Sequence, residues 1–354
     1  MILFFFALLI PLSGLLTDTL PATQIQETFT NPVYNGADPW IVKKKPYYYY
    51  CFSSGNSISI SKSLFLTKRG ETKKVWSLPK SGWNRSNLWA PELHFIDGRW
   101  YIYYAAGISG PPYIHQRTGV LMSETDDPFD GFKDMGMIYT GDNPDMRSDN
   151  KWAIDMTVFR YKKKLYAVWS GWMENASTDK TPQHLFIAEM ESPVKMKSPR
   201  TKISSPDQQW ETGGPLDLQE GPAILMRGKN LFIVYSCRES WRVDYRLGLL
   251  RLNNRKGSLL SAGNWMKKGP VFTGPYGVGH CSFSKSPDEK EDWIIYHSKR
   301  DSAEGWSREV RMQPFHWYPD GFPEFGSPVP SGVQIPRPSG ETKLEKHVVI
   351  PVTE

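Results

Sequence analysis

Hydrophobic and polar positions repeat five times along the chain in the same order. Each copy begins with one polar residue, continues through a short apolar run and a charged or glycine-containing turn, and ends in a run rich in aromatic residues. The polar residues that begin the copies lie 54 to 65 positions apart, and they are Asp38, Glu92, Asp155, Glu220 and His280. A repeat of this length indicates stacked supersecondary units. Hairpin units of this kind, repeated five times, predict an all-β protein with a five-bladed β-propeller fold.

The repeats predict one propeller domain over residues 31–338. Apolar alternation and frequent Gly and Pro residues favour short strands and tight turns over long helices. Residues 1–16 are almost wholly apolar, so we expect residues 1–22 to form a signal peptide or leader, although the usual positive charge at its start is missing. A retained membrane anchor is the alternative for this segment. Residues 339–354 are charged and without pattern, and we expect either a C-terminal tail or a last strand that closes the ring.

The polar residues that begin the copies carry the candidate chemistry. If the first strand of every blade lines the propeller axis, all five side chains converge at one end of that axis, which we call the mouth. Four of the five are carboxylic acids. Because clustered carboxylates repel one another, such a cluster indicates a functional site.

Two carboxylates of opposite protonation state suffice for the hydrolysis of a glycosidic bond. One must be ionised to activate water or to attack directly, and the other must hold a proton for the leaving oxygen. A third acid nearby can raise the pKa of the proton donor through like-charge repulsion. Asp38, Asp155 and Glu220 begin blades one, three and four, so a triad at the mouth is geometrically natural. Taken singly, each acid also fits a solvated carboxylate at a strand end.

Composition narrows the class of ligand. Aromatic residues make up 14% of the chain, including 14 Trp, and aromatic side chains suit both strands and the C–H faces of sugars. The net charge of +6 would favour an acidic polymer such as pectin, or nucleic acid, but Lys and Arg are scattered and no nucleic-acid motif is present. Three Cys at long spacings imply neither a disulfide framework nor a zinc site.

Several segments, taken in chain order, resemble glycoside hydrolase family 43. The matching segments are Gly36-Ala-Asp38-Pro-Trp40, Leu88-Trp-Ala-Pro-Glu92, Ile154-Asp155, Gln219-Glu-Gly-Pro222, Gly279-His280 and the stretch from Arg308 to Pro323. The resemblance covers nearly all of the chain after its leader. It implies a five-bladed propeller and an inverting mechanism, with Asp38 as general base, Asp155 as pKa modulator and Glu220 as general acid.

The resemblance also suggests residues that contact the substrate or a metal ion. It implies that Arg308 reaches the sugar hydroxyls. It matches His280 to an axial histidine near a calcium ion or a water cluster, and we expect any link to calcium to run through water because calcium prefers oxygen ligands. No cofactor is implied for the reaction, and a structural calcium at the propeller axis is allowed. Trp89 and Trp172 are candidate platforms for sugar rings, with packing in the core as the alternative for each.

These observations lead to a functional prediction. We expect a secreted or periplasmic, exo-acting α-L-arabinofuranosidase that removes terminal arabinose from arabinan or arabinoxylan of the plant cell wall. We expect a monomer with no nucleic-acid partner and no stable membrane association. The same family includes β-xylosidases, endo-arabinanases and galactan-cleaving enzymes, so these stay open as alternatives. A non-catalytic sugar-binding propeller is a further alternative, as is a membrane-anchored propeller that binds other proteins.

Overall fold

Five antiparallel sheets account for the five repeats in a computed structural model, which describes residues 27–342 and 344. Two short strands precede the first sheet, and they are β1 (Thr28–Thr30) and β2 (Tyr34–Asn35). Blade 1 contains β3 (Trp40–Lys44), β4 (Tyr47–Ser54), β5 (Ser57–Ser63) and β6 (Glu71–Ser77). Blade 2 contains β7 (Ser86–Ile96), β8 (Arg99–Gly107), β9 (Arg117–Ser123) and β10 (Phe132–Met137).

The next two blades follow the same plan. Blade 3 contains β11 (Ala153–Tyr161), β12 (Lys164–Gly171), β13 (His184–Ser192), β14 (Lys195–Met196) and β15 (Thr201–Ser204). Blade 4 contains β16 (Gln219–Arg227), β17 (Asn230–Cys237), β18 (Arg246–Leu252) and β19 (Trp265–Phe272). Two 3₁₀ turns lie in the connections, and they span Arg147–Asp149 and Ala262–Asn264.

The ring closes between the last blade and the N-terminal strands. Blade 5 contains β20 (Val278–Lys285), β21 (Asp292–Lys299), β22 (Arg308–Trp317) and β23 (Pro323–Glu324), and the last strand is β24 (Gln334–Pro336). Strand β2 pairs antiparallel with β22, and β1 pairs with β24. An N-terminal strand therefore completes the outer edge of blade 5.

The segment after residue 338 is partly packed against the propeller. Glu341 is fully buried, and its Oε1 accepts hydrogen bonds from the backbone N–H groups of Leu66 (2.6 Å) and Thr67 (3.1 Å). The start of the predicted tail is thus tied to blade 1. Residues 345–354 and the predicted leader, residues 1–22, lie outside the described residues.

The prediction of a five-bladed propeller is confirmed, and its core explains why the repeat is rich in aromatic residues. The first strands β3, β7, β11, β16 and β20 adjoin one another around the axis. One cluster of buried apolar side chains fills each of the five gaps between neighbouring blades. Large fully buried rings such as Trp100, Trp169 and Trp293 belong to these clusters. Blades splay apart around a ring, so bulky side chains are needed to fill the wedge between them.

Every blade has a residue with a left-handed backbone at the same structural position, in its inner strand or just before it. Four of these residues are not glycine, and the set is Asp38 (φ 49°), Ala90 (φ 39°), Asp155 (φ 54°), Gly221 (φ 54°) and His280 (φ 45°). In blades 2 to 5 this residue falls in a break of register with the second strand. Such bulges re-aim side chains, and a left-handed non-glycine residue costs about 1–2 kcal/mol. Strain repeated at one end of the axis is typical of a functional site.

Loops of unequal length surround that end. Each inner strand begins there and the antiparallel second strand ends there, so the loops after the second strands lie at the mouth. These loops cover 108–116, 172–183, 238–245 and 300–307 in blades 2 to 5. Blade 1 has only the two-residue turn 55–56 between β4 and β5. These loops are therefore long in four blades and short in blade 1, where we expect the border of the mouth to be lowest.

Candidate active site

Asp38 lies immediately before β3 and is surrounded by basic side chains. Its Oδ1 is 3.2 Å from Nη1 of Arg308, 3.4 Å from Nδ1 of His280 and 3.2 Å from Nδ1 of His297. Burial would raise the pKa of Asp38, but the charge of Arg308 and the two histidines outweigh it and hold the pKa well below its ordinary value. Asp38 is therefore ionised at neutral pH.

Asp155 lies in the bulge of β11 and is 5% exposed. Its Oδ2 accepts a hydrogen bond from the backbone N–H of Gly221 at 3.0 Å. Burial raises the pKa of Asp155 to about 7; the nearby His280 opposes this rise, and the charges of Glu220 and Asp38 add to it. Because Gly221 follows Glu220 directly, this hydrogen bond links the side chain of Asp155 to the backbone next to Glu220.

Glu220 is half-buried at the start of β16. Its Oε1 accepts a hydrogen bond from the hydroxyl of Tyr245 at 2.9 Å. Burial raises the pKa of Glu220 to about 7, and the charge of Asp38 raises it further, while Tyr245 and Arg308 act in the opposite direction. Near neutral pH this carboxyl holds a proton for a substantial fraction of the time.

His280 lies between the three acids. Its Nδ1 contacts Asp38, and a methyl group added to Gly221 would come within 3.0 Å of its ring. The backbone N–H of His280 donates to Oγ of Ser236 at 2.7 Å, which fixes the left-handed turn of the strand. Asp38, Asp155 and Glu220, far apart in sequence, are thus grouped around one buried histidine.

This arrangement separates the protonation states of two carboxyl groups. Asp38 is held ionised by its basic neighbours, and Glu220 is kept protonated up to about neutral pH by burial and by the charge of Asp38. Paired acids with opposite protonation states can supply a base on one side of a glycosidic bond and an acid on the other.

Tyr245 and His297 belong to the site although the sequence did not single them out. Tyr245 is in the loop 238–245, and its hydroxyl binds Glu220. His297 is in β21, and its Nδ1 also lies 3.1 Å from the backbone nitrogen of Asp38. Burial lowers the pKa of His297 to about 4, so its imidazole is neutral at neutral pH. The insert that holds Tyr245 contains Arg238, Trp241 and Arg242, and this mixture of Arg and aromatic residues was the available signal in the sequence.

The candidate substrate residues have different surroundings. Arg308 begins β22, its side chain is 15% exposed, and its Nη1 binds Asp38, so it lies in the site. Trp89 is half-buried in β7, and its ring meets the edge of Tyr113 with centroids 5.0 Å apart. Trp89 therefore keeps an exposed surface at the mouth.

Trp172 requires a correction. Its side chain is completely buried, and its ring stacks on Trp152 with centroids 4.4 Å apart and an interplanar angle of 2°. A sugar ring has no access to either face, so the alternative of core packing holds for Trp172.

Glu92 is more completely buried than the three acids. It is 2% exposed, and its Oε2 is 3.0 Å from Nε2 of His94. Burial raises the pKa of Glu92 well above its ordinary value, so a neutral carboxyl that hydrogen-bonds inside the core is favoured. In blade 2 the left-handed residue at the position equivalent to Asp38 is Ala90, two positions earlier, which explains why Glu92 does not reach the mouth.

The sequence prediction of a calcium ion concerns the surroundings of His280. Among residues 27–342 and 344, no group of three or more His, Cys, Asp or Glu side chains is arranged to hold a metal ion. Direct ligation by protein side chains therefore does not fit this position. A calcium ion linked to His280 through water stays a prediction, and the chemistry of the carboxyl groups does not depend on it.

Comparison with known proteins identifies the family of the chain. The family model described as glycosyl hydrolases family 43 matches residues 29–323. The chain belongs to this family, and it is a glycosidase.

Two relatives with established names are similar to most of this chain. The chain is 33% identical to an extracellular exo-α-(1→5)-L-arabinofuranosidase of Streptomyces avermitilis, over 93% of this chain and 69% of the relative. It is 31% identical to α-L-arabinofuranosidase 43 of Humicola insolens, over 84% of this chain and 62% of the relative. The chain thus spans about two thirds of the length of these relatives.

A solved structure resembles the whole propeller. The crystal structure of an α-L-arabinofuranosidase from Lactobacillus brevis superposes with a TM-score of 0.78 at 30% identity, over 86% of this chain and 98% of the other. In the part of the chain that the structure describes, no helix has the length and apolar character needed to span a membrane.

Proposed function

We propose that this family 43 glycosidase is an exo-acting α-L-arabinofuranosidase that removes terminal arabinose from arabinan or arabinoxylan. One observation carries the proposal of catalysis: Asp38 and Glu220 share one site while their pKa values move in opposite directions. The choice of arabinose is supported by the names of the Streptomyces and Humicola relatives and of the Lactobacillus structure. The name of the Streptomyces relative also supports a secreted protein.

Asp38 is the proposed general base. Arg308, His280 and His297 keep its carboxylate ionised. An ionised carboxylate can take a proton from a water molecule as that water attacks the anomeric carbon. Arg308 would also bind sugar hydroxyls through its remaining donors, because its side chain is 15% exposed and a guanidinium has more N–H groups than the contact with Asp38 uses.

Glu220 is the proposed general acid. Its Oε1 is occupied by the Tyr245 hydroxyl, so Oε2 is the oxygen that presents a proton to the leaving group. Asp155 is the proposed modulator, since the charge of Glu220 is among the causes that raise the pKa of its carboxyl, which shows that the two groups interact. Its hydrogen bond from the Gly221 N–H also orients the backbone that carries Glu220.

The choice of sugar is tested with chromogenic substrates. We expect faster release of 4-nitrophenol from the α-L-arabinofuranoside than from the β-xyloside. A strong preference for the xyloside would replace the arabinose proposal with β-xylosidase activity. Release of arabinose alone from debranched arabinan indicates exo action, whereas early release of longer oligosaccharides would indicate an endo-arabinanase.

The two carboxyl roles are tested by comparing leaving groups. Asp38→Asn should lower kcat/KM by at least about 10²-fold on every substrate, because every substrate needs the activated water. Glu220→Gln should cause a comparable loss on arabino-oligosaccharides and a smaller loss on the 4-nitrophenyl substrate, whose leaving group needs little protonation. Glu71→Gln, in the exposed outer strand of blade 1, is the matched control. Full activity of either site variant on oligosaccharides would refute its role, whereas an absence of hydrolysis by the wild-type protein would favour the non-catalytic, sugar-binding alternative.

A further inference from the structure

Trp306 presents an exposed indole ring at the mouth. Its exposed fraction of 61% exceeds that of every other large hydrophobic side chain in the described residues. It lies in the loop 300–307 of blade 5, two residues before Arg308, and the guanidinium carbon of Arg308 is 5.3 Å from the centroid of its ring. Since Arg308 also binds Asp38, its side chain contacts both Trp306 and the proposed base.

A second tryptophan from the neighbouring blade accompanies it. Trp241, half-buried in the loop 238–245 of blade 4, has its ring centroid 5.1 Å from that of Trp306 at an interplanar angle of 52°. Nζ of Lys180 lies 5.7 Å from the other ring centroid, that of Trp241. Trp306 therefore offers the larger free surface, and Trp241 supports it.

Contacts between the two loops hold this pair in place. The backbone N–H of Gly305 donates to the carbonyl oxygen of Trp241 at 3.0 Å. Nη1 of Arg242 binds Oε1 of Glu304 at 2.6 Å. Nζ of Lys299 donates to the carbonyl oxygen of Gly305 at 3.0 Å. The rings are thus placed before a ligand arrives, which lowers the entropy lost on binding.

The location of the pair indicates which ligand it receives. In the proposed reaction the terminal sugar lies between Asp38 and Glu220, so the rest of the polymer must leave through the mouth. Blade 5 adjoins blade 1, where we expect the border of the mouth to be lowest. A chain that leaves over this low border passes the loop that carries Trp306. Trp side chains are enriched at interfaces, and the flat apolar face of an exposed, rigid indole complements the C–H face of a sugar.

We propose that Trp306 and Trp241 form a binding site for the polysaccharide on the leaving-group side of the scissile bond. This inference rests on the proposed function, because that function places the terminal sugar. The pair contributes to affinity for the polymer and not to the chemical step, so small substrates do not use it.

Substrate length provides the first test. Trp306→Ala should raise KM for linear arabino-oligosaccharides about tenfold, the scale of one aromatic contact, and should leave kcat/KM for 4-nitrophenyl α-L-arabinofuranoside within about twofold. Trp306→Phe should recover most of the affinity. Tyr318→Ala removes an aromatic side chain that is 46% exposed beyond the far end of β22, so it is the matched control. Equal losses on both substrates, or no loss on either, would overturn the proposal.

Binding without hydrolysis provides the second test. In the Glu220→Gln background, electrophoretic retardation by arabinan and arabinoxylan in the gel should decrease when Trp306→Ala is added and stay constant when Tyr318→Ala is added. This readout does not require activity. A further outcome is that the wild-type protein hydrolyses neither 4-nitrophenyl α-L-arabinofuranoside nor arabino-oligosaccharides while this retardation still depends on Trp306. That result would support the binding site and refute the proposed function. If retardation is absent, or is independent of Trp306, the site is refuted.

Discussion

The phenol ring of Tyr245 lies parallel to the imidazole of His297, with centroids 5.4 Å apart and an interplanar angle of 6°. Both side chains are 1% exposed. The hydroxyl of Tyr245 donates to Glu220, and Nδ1 of His297 lies 3.2 Å from Oδ1 of Asp38. One buried stack therefore joins the proposed acid to the proposed base, and it fixes the separation at which the two carboxyl groups act.

The hydroxyl of Tyr245 should set the alkaline limit of activity. Its hydrogen bond stabilises ionised Glu220 and so lowers the pKa of that carboxyl. In Tyr245→Phe the pKa of Glu220 should rise, and the alkaline limb of the kcat/KM profile should move to higher pH. We expect kcat to fall several-fold, because Glu220 also loses an anchor. Steady-state kinetics from pH 4 to 9 measure both effects.

Another buried tyrosine supplies the control for this variant. The hydroxyl of Tyr103 donates to the carbonyl oxygen of Pro193 at 2.8 Å, outside the site. Tyr103→Phe should lower the free energy of unfolding by about 1 kcal/mol without moving the alkaline limb. An unchanged limb in Tyr245→Phe would show that its hydroxyl does not control the protonation of Glu220.

The wild-type enzyme should lose activity as pH rises through about 7. Catalysis requires ionised Asp38 and protonated Glu220. The pKa of Asp38 is far below its ordinary value, so the base is ready throughout the mildly acidic range. The pKa values of Glu220 and Asp155 are raised to about 7, and the two groups interact, so the alkaline limb reports the pair. Intrinsic fluorescence over the same range serves as the control for unfolding. Activity that increases between pH 7 and 9 would contradict the acid role of Glu220.

Gly221 should be required both for its backbone and for its missing side chain. Its φ is 54°, and an added Cβ would lie 3.0 Å from Cγ and Nδ1 of His280. Gly228 has nearly the same φ, 55°, and no atom within 4 Å of an added Cβ. Each Gly→Ala change should lower the free energy of unfolding by about 1 kcal/mol through the backbone. Only Gly221→Ala should also displace His280, and we expect its kcat/KM to fall more than roughly tenfold.

Denaturant unfolding and steady-state kinetics on the two variants separate these effects. Equal activities of Gly221→Ala and Gly228→Ala would mean that the contact between Gly221 and His280 has no catalytic importance.

The buried ring of Trp172 should stabilise the folded protein. Trp172→Ala removes a fully buried ring that stacks on Trp152, and we expect the free energy of unfolding to fall by roughly 3–5 kcal/mol. Trp306→Ala, at an exposed position, should change it by less than about 0.5 kcal/mol. Urea denaturation measures both. A small effect of Trp172→Ala would contradict the core assignment and return Trp172 to the candidates for sugar binding.

The fold could be predicted because the repeat reflects packing. Every gap between blades needs large side chains, so aromatic runs recur once per blade and can be counted in the sequence. The closing strand β2 could not be predicted in this way, since two residues, Tyr34 and Asn35, carry no periodic pattern. Its pairing with β22 depends on the assembled ring.

The site could be predicted only in part, because the amino-acid sequence does not show where the β-bulges of the inner strands fall. The sequence aligned Glu92 and Glu220 with Asp38 as equivalent positions, but the left-handed residues that are structurally equivalent to Asp38 are Ala90 and Gly221. Glu220 is one position away and still borders the site, whereas Glu92 is two positions away and faces His94. The stack of Tyr245 on His297 joins two blades, and no local pattern records such a contact.

The stereochemistry of the first product tests the central claim most directly. If ionised Asp38 activates water while Glu220 protonates the leaving oxygen, each turnover inverts the anomeric centre. Proton NMR during the first minutes of hydrolysis of an α-L-arabinofuranoside should then show β-arabinofuranose before mutarotation. Initial appearance of the α-anomer would mean retention through a covalent intermediate, and it would contradict the assignment of Asp38 as a general base.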